Sequence, residues 1–155
     1  MTRRLQDEIK QTRPFHSLEE EVLLGLARTA DAVGRAGEEV LKGSGLTMTQ
    51  YNVLRILRGA GATGLSCGDV AGRMITRDPD LTRLLDRLEA RSLVTRARDG
   101  EDRRVVTTRI TQSGLALLAQ LDAPVQAQHR ERLGHLGEKK LRTLAQLLDE
   151  ARNGA

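Results

Sequence analysis

Apolar residues recur along most of the chain at the three- and four-residue spacing of amphipathic helices. Stripes of this kind follow Ser17, Thr47, Ser66 and Thr111, and a last one lies near the C-terminus. The first three begin with a capping pattern, in which a serine or threonine precedes a polar acceptor by three residues. The pattern therefore predicts helices over about 17–42, 47–58 and 66–75, and two more after Thr111.

The segment between residues 78 and 91 has the sharpest pattern. Four leucines fall at i, i+3, i+4 and i+7 and share one face: Leu81, Leu84, Leu85 and Leu88. Thr82, Arg83, Asp86 and Arg87 occupy the opposite face. We expect Asp78 to be the N-cap and Pro79 the first helical residue, because proline lacks only an N–H that needs no partner there. Thr76 and Arg77 would then form the turn after the preceding helix.

A β-hairpin is predicted directly after this helix. Two β-branched, alternating segments, residues 93–98 and 104–111, flank a glycine-containing charged loop at residues 99–103. Thr111 should cap the next helix, which Pro124 is expected to kink or interrupt. Gly134 and Gly137 then separate that helix from the last one.

Residues 80–96, followed by residues 102–111 and Gly114, resemble the winged helix-turn-helix of the MarR family of bacterial transcriptional regulators. The resemblance implies a mainly α fold with a small β-hairpin (α+β), in one protomer of residues 1–155. The DNA-binding region would span residues 46–111, between dimerisation helices at 17–43 and 112–152. The family usually has glycine where this chain has Ser92, and a serine at positive φ costs on the order of 1 kcal/mol.

The polar face of the helix supplies the candidate contacts to double-stranded DNA. Thr82, Arg83 and Arg87 are expected to face the major groove, with Arg77 in the preceding turn. Asp80 would lie beside the DNA, where it needs a neighbouring arginine or a cytosine amino group as partner. The alternative is that the arginines at 83, 87 and 91 form only a solvated helix face.

The hairpin tip supplies the remaining DNA-binding candidates. By resemblance, Arg103 enters the minor groove and Asp102 holds the wing by pairing with a nearby arginine. Arg104 is an alternative contact to phosphate. A guanidinium suits the minor groove because the negative potential there is strong. A charged hairpin tip can also serve solubility alone.

Composition narrows the class of protein. Of 155 residues, 39% are hydrophobic but only 1% aromatic, so leucine must fill most of the core. The net charge of +4 permits binding to a polyanion without requiring it. The leucines of the two terminal arms exceed what the DNA-binding region could bury. A homodimer, as in the family, would use them.

Other functions have less support in the sequence. The residues contain no catalytic constellation, so we expect no enzyme, no cofactor and no metal site. By resemblance, a small-molecule effector would bind near Tyr51 and Arg28, although Tyr51 also suits a core position beside Leu46. Cys67 is the candidate for an alternative, redox-responsive regulator, and a winged-helix assembly module is the other alternative. The polar N-terminus and the lack of long apolar runs predict a cytoplasmic protein without membrane association. By resemblance, the protein would be bacterial and nucleoid-associated when DNA-bound.

Overall fold

The computed structural model describes residues 4–98 and 104–154. The helices are α1 (Leu5–Glu8), α2 (Leu18–Leu41), α3 (Met48–Ala60), α4 (Cys67–Arg73), α5 (Leu81–Ala90), α6 (Gln112–Leu133) and α7 (Gly137–Asn153). The strands are β1 (Leu65–Ser66), β2 (Val94–Ala97) and β3 (Thr107–Ile110), and single 3₁₀ turns follow α2, α3 and α6. The mainly helical fold with a small antiparallel sheet is confirmed. The chain divides into two compact units, Met1–Ala36 and Gly37–Ala155, which are described separately.

The first unit contains α1 and most of α2. Glu20 N–H donates to Ser17 Oγ at 3.1 Å, so the predicted serine cap is confirmed. The reciprocal bond differs from a capping box, because the Glu20 carboxylate accepts from His16 N at 2.6 Å. Large apolar side chains of this part of α2 remain exposed, among them Leu18, Val22, Leu23, Leu26 and Val33.

The second unit has a core made largely of leucine and valine. Its least exposed members come from α3, α4, α5 and α6, each with 0% relative exposure: Val53, Leu54, Leu57, Val70, Leu88 and Leu118. Burying side chains of this size is worth about 1.5–3 kcal/mol each before the entropy cost of ordering them. In this core α5 packs against α4 and β2, so the polar face of α5 has a rigid support.

An ion pair joins α3 to α6 at the edge of this core. The Arg58 guanidinium donates to both carboxylate oxygens of Asp122, at 2.9 and 3.0 Å. Hydrogen bonding to Arg58 lowers the pKa of Asp122, and the same bonds raise the pKa of Arg58. This bidentate geometry suits a planar guanidinium.

The start of α3 follows its predicted chemistry. Thr47 Oγ1 accepts from Gln50 N, and the Gln50 side chain accepts from Thr47 N, so both halves of the capping box are present. Leu46 and Tyr51, on either side of the cap, are both buried. The predicted hydrophobic staple is thus consistent with the position of both residues.

The sheet has the order β1-β3-β2, with both pairs antiparallel. The predicted hairpin corresponds to β2 and β3, with Val94 opposite Ile110. Strand β1 was not predicted, because it has only two residues and one of them, Ser66, is also the N-cap of α4. Gly114, in the first turn of α6, packs so closely that an added Cβ would lie 2.4 Å from the carbonyl oxygen of Leu93.

The C-terminal helices differ from expectation at one point. Thr111 caps α6 through Gly114 N, as predicted. The predicted interruption at Pro124 is wrong, because α6 continues from Gln112 to Leu133 with the proline inside it. Pro124 is exposed, so water can satisfy the carbonyl that loses its helical partner. No residue of α7 is buried in the described chain, and Leu147 is 54% exposed.

Candidate nucleic-acid interface

Helix α5 has one buried and one exposed face. Its four leucines are at most 6% exposed, whereas Thr82, Arg83 and Arg87 are exposed. The arginines also line a groove between α5 and the first turn of α3, bounded by Thr47, Thr49, Gln50, Asp78, Asp80, Arg83, Leu84 and Arg87. A helix fixed by one face can present the other to a ligand without losing its packing.

The start of α5 corrects the predicted cap. The helix begins at Leu81, with Asp80 rather than Asp78 in the N-cap position and Pro79 outside the helix. Asp78 Oδ1 instead accepts from Asp80 N at 2.8 Å, a bond from an aspartate side chain to the backbone two residues on. This local bond offers the chain a turn in place of another helical residue.

Asp80 has the arginine partner that its position requires. Its Oδ2 lies 3.3 Å from Arg83 Nε, and both side chains are more than half exposed. An exposed pair of this kind is worth little, so Arg83 can leave it for another anion at small cost. Arg77, in the turn before α5, is exposed as well.

The turn itself also differs from the prediction. Met74 and Ile75 were expected in the first helix of the motif, but α4 ends at Arg73 and Met74 is extended, with φ −69° and ψ 140°. Ile75 is 87% exposed. Its backbone N–H donates to Asn52 Oδ1 at 3.0 Å, which holds the turn to α3 instead of continuing the helix.

The end of α5 is a Schellman motif. Ser92 adopts φ 57°, the left-handed conformation for which the family usually has glycine. Its N–H donates to the carbonyl of Glu89, and the Leu93 N–H donates to the carbonyl of Leu88. Arg91, the residue before Ser92, is exposed but has hydrogen-bond partners within the protein. Its guanidinium donates to two backbone carbonyls of the turn after α2, Ser44 and Gly45, each at 2.9 Å.

Arg96 on β2 fastens the wing to α5. Its Nε and one terminal nitrogen donate to Glu89 Oε2 at 2.9 and 2.7 Å, and that nitrogen also donates to Asp86 Oδ1 at 2.5 Å. Arg96 N–H donates to the other Glu89 oxygen at 3.1 Å. Hydrogen bonding to Glu89 raises the pKa of Arg96. The charge on this arginine therefore serves the junction between helix and wing.

The structure describes only some of the residues predicted for the wing. Asp102 and Arg103 lie outside the described residues. Arg104 is exposed just before β3. On β3, Arg109 Nε donates to the carbonyl of Ala62, which ties the wing to the turn after α3.

A cleft beside the turn contains one of the two effector candidates. Tyr51 borders it, in a lining of Met48, Thr49, Tyr51, Asn52, Arg55, Ile75, Thr76 and His129. The Arg55 guanidinium carbon lies 5.9 Å from the centre of the Tyr51 ring, within the range of a cation–π contact. Arg28 belongs to the first unit, where its Nε lies 3.8 Å from Glu8.

Other candidate chemistry is limited. Cys67 is the first residue of α4 and is partly buried. Across residues 4–98 and 104–154, no three histidine, cysteine or acidic side chains are grouped as metal ligands would be. In the same part of the chain, no helix combines the length and hydropathy needed to cross a bilayer.

The chain matches the model of the MarR family over residues 46–106. It is 41% identical to a MarR transcription factor of Planctomyces limnophilus of known structure, with a TM-score of 0.68, and the match covers 88% of this chain and 98% of that one. The chain therefore belongs to the MarR family, whose members are DNA-binding transcriptional regulators with a winged-helix fold.

Further relatives agree with this assignment. The transcriptional regulator TtmR of Methylorubrum extorquens is 37% identical to this chain over 68% of its residues. The match covers about half of TtmR, 53% of its length. The homoprotocatechuate degradative operon repressor of Escherichia coli is 26% identical over 86% of this chain and 88% of its own. BpsR of Bordetella bronchiseptica, whose DNA binding is regulated by 6-hydroxynicotinic acid, is 26% identical, with a TM-score of 0.80 over 91% of this chain and 99% of its own.

Proposed function

We propose that the protein is a homodimeric, sequence-specific repressor that binds a near-palindromic operator and is released by a small-molecule effector. One observation carries the DNA-binding part of this proposal. Helix α5 buries its four leucines and leaves Thr82, Arg83 and Arg87 exposed. Such a helix can enter the major groove while the protein core holds its position and tilt.

Arg87 is the residue to which we assign base recognition. It is exposed in the last turn of α5 and lines the groove between α5 and α3 together with Arg83. An arginine that donates to guanine O6 and N7 discriminates against other bases by about 1–3 kcal/mol. Arg83 exchanges its exposed pairing with Asp80 for a base or a phosphate. Arg77, at the preceding turn, contacts the DNA backbone.

The wing completes the interface in this proposal. Arg103 enters the minor groove, Asp102 braces it, and Arg104 contacts phosphate. Strand β2, held to α5 by Arg96, supports this arrangement because it fixes the base of the wing relative to the reading helix.

A second copy of the chain accounts for the exposed apolar residues of the terminal arms. Helix α2 exposes Leu18, Val22, Leu23 and Leu26, and α7 exposes Leu144 and Leu147. Apolar stripes of this extent favour burial against another surface. A symmetric dimer assembled through residues 17–43 and 112–152 would place two α5 helices in successive major grooves, about 34 Å apart.

Release by an effector is supported by the cleft at Tyr51 and by the regulation of BpsR. The cleft combines the apolar Met48 and Ile75 with the cation of Arg55 and the imidazole of His129. This lining suits a small organic acid. Arg28 remains a second candidate contact. An effector shifts the DNA-binding equilibrium only if it binds the released state more tightly than the DNA-bound state.

Selection of fragments from the source genome, followed by titration of the recovered sequence, tests the proposal. Wild-type protein should prefer the recovered sequence over random DNA, with affinity falling steeply as salt is added. Arg87→Ala should reduce that preference about tenfold or more, because a base contact is lost. Arg13→Ala, which removes an exposed arginine outside the proposed DNA-binding and dimerisation regions, is the matched control and should retain the preference. Equal preference in Arg87→Ala and wild type would refute the assigned base contact.

A further inference from the structure

The turn between α4 and α5 is held by a side chain from another helix. The Ile75 N–H donates to Asn52 Oδ1 at 3.0 Å, across 23 residues of sequence. Packing does not supply this anchoring, since the Ile75 side chain is 87% exposed. The extended Met74 carries the chain out of α4, so the Asn52 bond acts where the backbone leaves regular structure.

The backbone at Asn52 is held in place by its buried neighbours. It lies on α3 between Tyr51 and Val53, which are 7% and 0% exposed. The amide oxygen therefore projects from a helix that is fixed in the core. From Ile75 to the start of α5 the chain has only five residues before Leu81, and Asp78 and Asp80 form one local bond within them. A displacement of Ile75 is thus transmitted over a short, partly constrained path.

We infer that Asn52 is a positioning residue for DNA reading: its amide fixes the turn at Ile75 and thereby the N-terminal end of α5. The inference rests on the proposed function. It also supplies a route for regulation, because Asn52 and the turn residues Ile75 and Thr76 line the same cleft. A molecule in that cleft contacts both ends of the bond, and it alters the position of α5 if it favours a different separation.

Two substitutions of Asn52 separate the effect of losing the hydrogen bond from the effect of changing the side-chain volume. Asn52→Leu keeps a similar size but removes the acceptor. Asn52→Asp keeps an acceptor oxygen at the same place and should restore the bond. The matched control is Asn153→Leu, the same exchange at the end of α7. The first measurement is hydrogen exchange of the Ile75 amide by NMR, in the protein without DNA.

In Asn52→Leu we expect the Ile75 amide to exchange about tenfold faster and the affinity for the selected operator to fall about threefold to tenfold. Amides in the middle of α3 should keep their protection. The dependence of affinity on salt should be unchanged, since no phosphate contact is removed. Asn52→Asp should restore the slow exchange of Ile75, and Asn153→Leu should match the wild type in both measurements.

Three results would overturn the inference. One is unchanged exchange of Ile75 in Asn52→Leu. Another is faster exchange of the Ile75 amide in Asn52→Leu with full operator affinity, which would show that the turn does not affect DNA binding. The third is a loss of affinity with a shallower salt dependence, which would make Asn52 a direct DNA contact. If the wild type selects no DNA, the proposed function fails and this inference with it; retained binding in Asn52→Leu overturns the inference alone.

Discussion

Replacing Arg96 by glutamine tests whether one guanidinium joins the wing to α5. The substitution removes the charge and the hydrogen bonds to Glu89 Oε2 and Asp86, while the backbone bond from residue 96 to Glu89 can persist. The side chain of Arg96 is only 22% exposed, and Glu89 is 38% exposed. Each bond to Glu89 should therefore be worth about 1 kcal/mol, and the pairing with the more exposed Asp86 less.

We expect the free energy of unfolding to fall by about 2 kcal/mol in Arg96→Gln, which for a chain of this length lowers Tm by roughly 4–8 °C. Urea unfolding at a fixed protein concentration measures the change. Arg98→Gln, two residues further along and exposed, removes the same group where no such network is described, and should change stability by less than about 0.5 kcal/mol. In the proposed complex, Arg96→Gln should also weaken operator binding.

A double-mutant cycle isolates the pair itself. Glu89→Gln should be destabilising alone, and the combination with Arg96→Gln should show a coupling of at least about 1 kcal/mol. Added salt should reduce this coupling only modestly, because the arginine is mostly shielded from solvent. If the coupling is near zero, or if Arg98→Gln destabilises as much as Arg96→Gln, the reasoning is refuted.

The remaining predictions concern stability. Gly114→Ala should lower the free energy of unfolding by about 1–3 kcal/mol, because the new Cβ would collide with a backbone oxygen at 2.4 Å. Ser92→Gly should raise the free energy of unfolding by about 1 kcal/mol, because glycine has no Cβ and adopts a φ of 57° without strain. Asp122→Asn should cost about 1 kcal/mol at pH 7 through the loss of the Arg58 pair. Folding lowers the pKa of Asp122 through its hydrogen bonds to Arg58, so this contribution is complete above the ordinary value of 3.8 and is lost as the pH falls from there through the lowered pKa.

Chemical denaturation with far-UV circular dichroism measures all three. For Gly114→Ala the control is Gly59→Ala, where an added Cβ meets nothing within 4 Å and should be neutral or stabilising. A destabilised Ser92→Gly would contradict the argument from backbone strain. For Asp122→Asn, a stability difference from wild type that persists unchanged at pH 2 would show that the carboxylate charge is not its cause.

Local chemistry made the helical part of the fold predictable. The caps at Ser17, Thr47, Ser66 and Thr111 each place a side-chain acceptor where the first amides of a helix need one, and all four are occupied as expected. The leucine spacing in α5 likewise identified its buried face. The left-handed conformation of Ser92 was less predictable, because the family usually has glycine at this position and serine is strained there.

Contacts between residues distant in the sequence were not predictable in the same way. Asn52 and Ile75 are 23 residues apart, and Arg91 and Gly45 are 46 apart, so no spacing rule relates them. The start of α5 was misplaced for a related reason: an aspartate before proline suits either a helix cap or a local turn, and the choice depends on where α3 holds the chain. Arg96 lies within the motif, but only the fold shows that its charge faces two carboxylates of α5.

The scarcity of aromatic residues gives the molecule a built-in optical reporter. The chain has no tryptophan and one tyrosine, Tyr51. Tyr51 is buried in the core and borders the cleft, and the guanidinium of Arg55 lies close to its ring. Intrinsic tyrosine emission therefore originates from a single known place, and any change in its intensity when a compound is added describes this neighbourhood alone, without an extrinsic label.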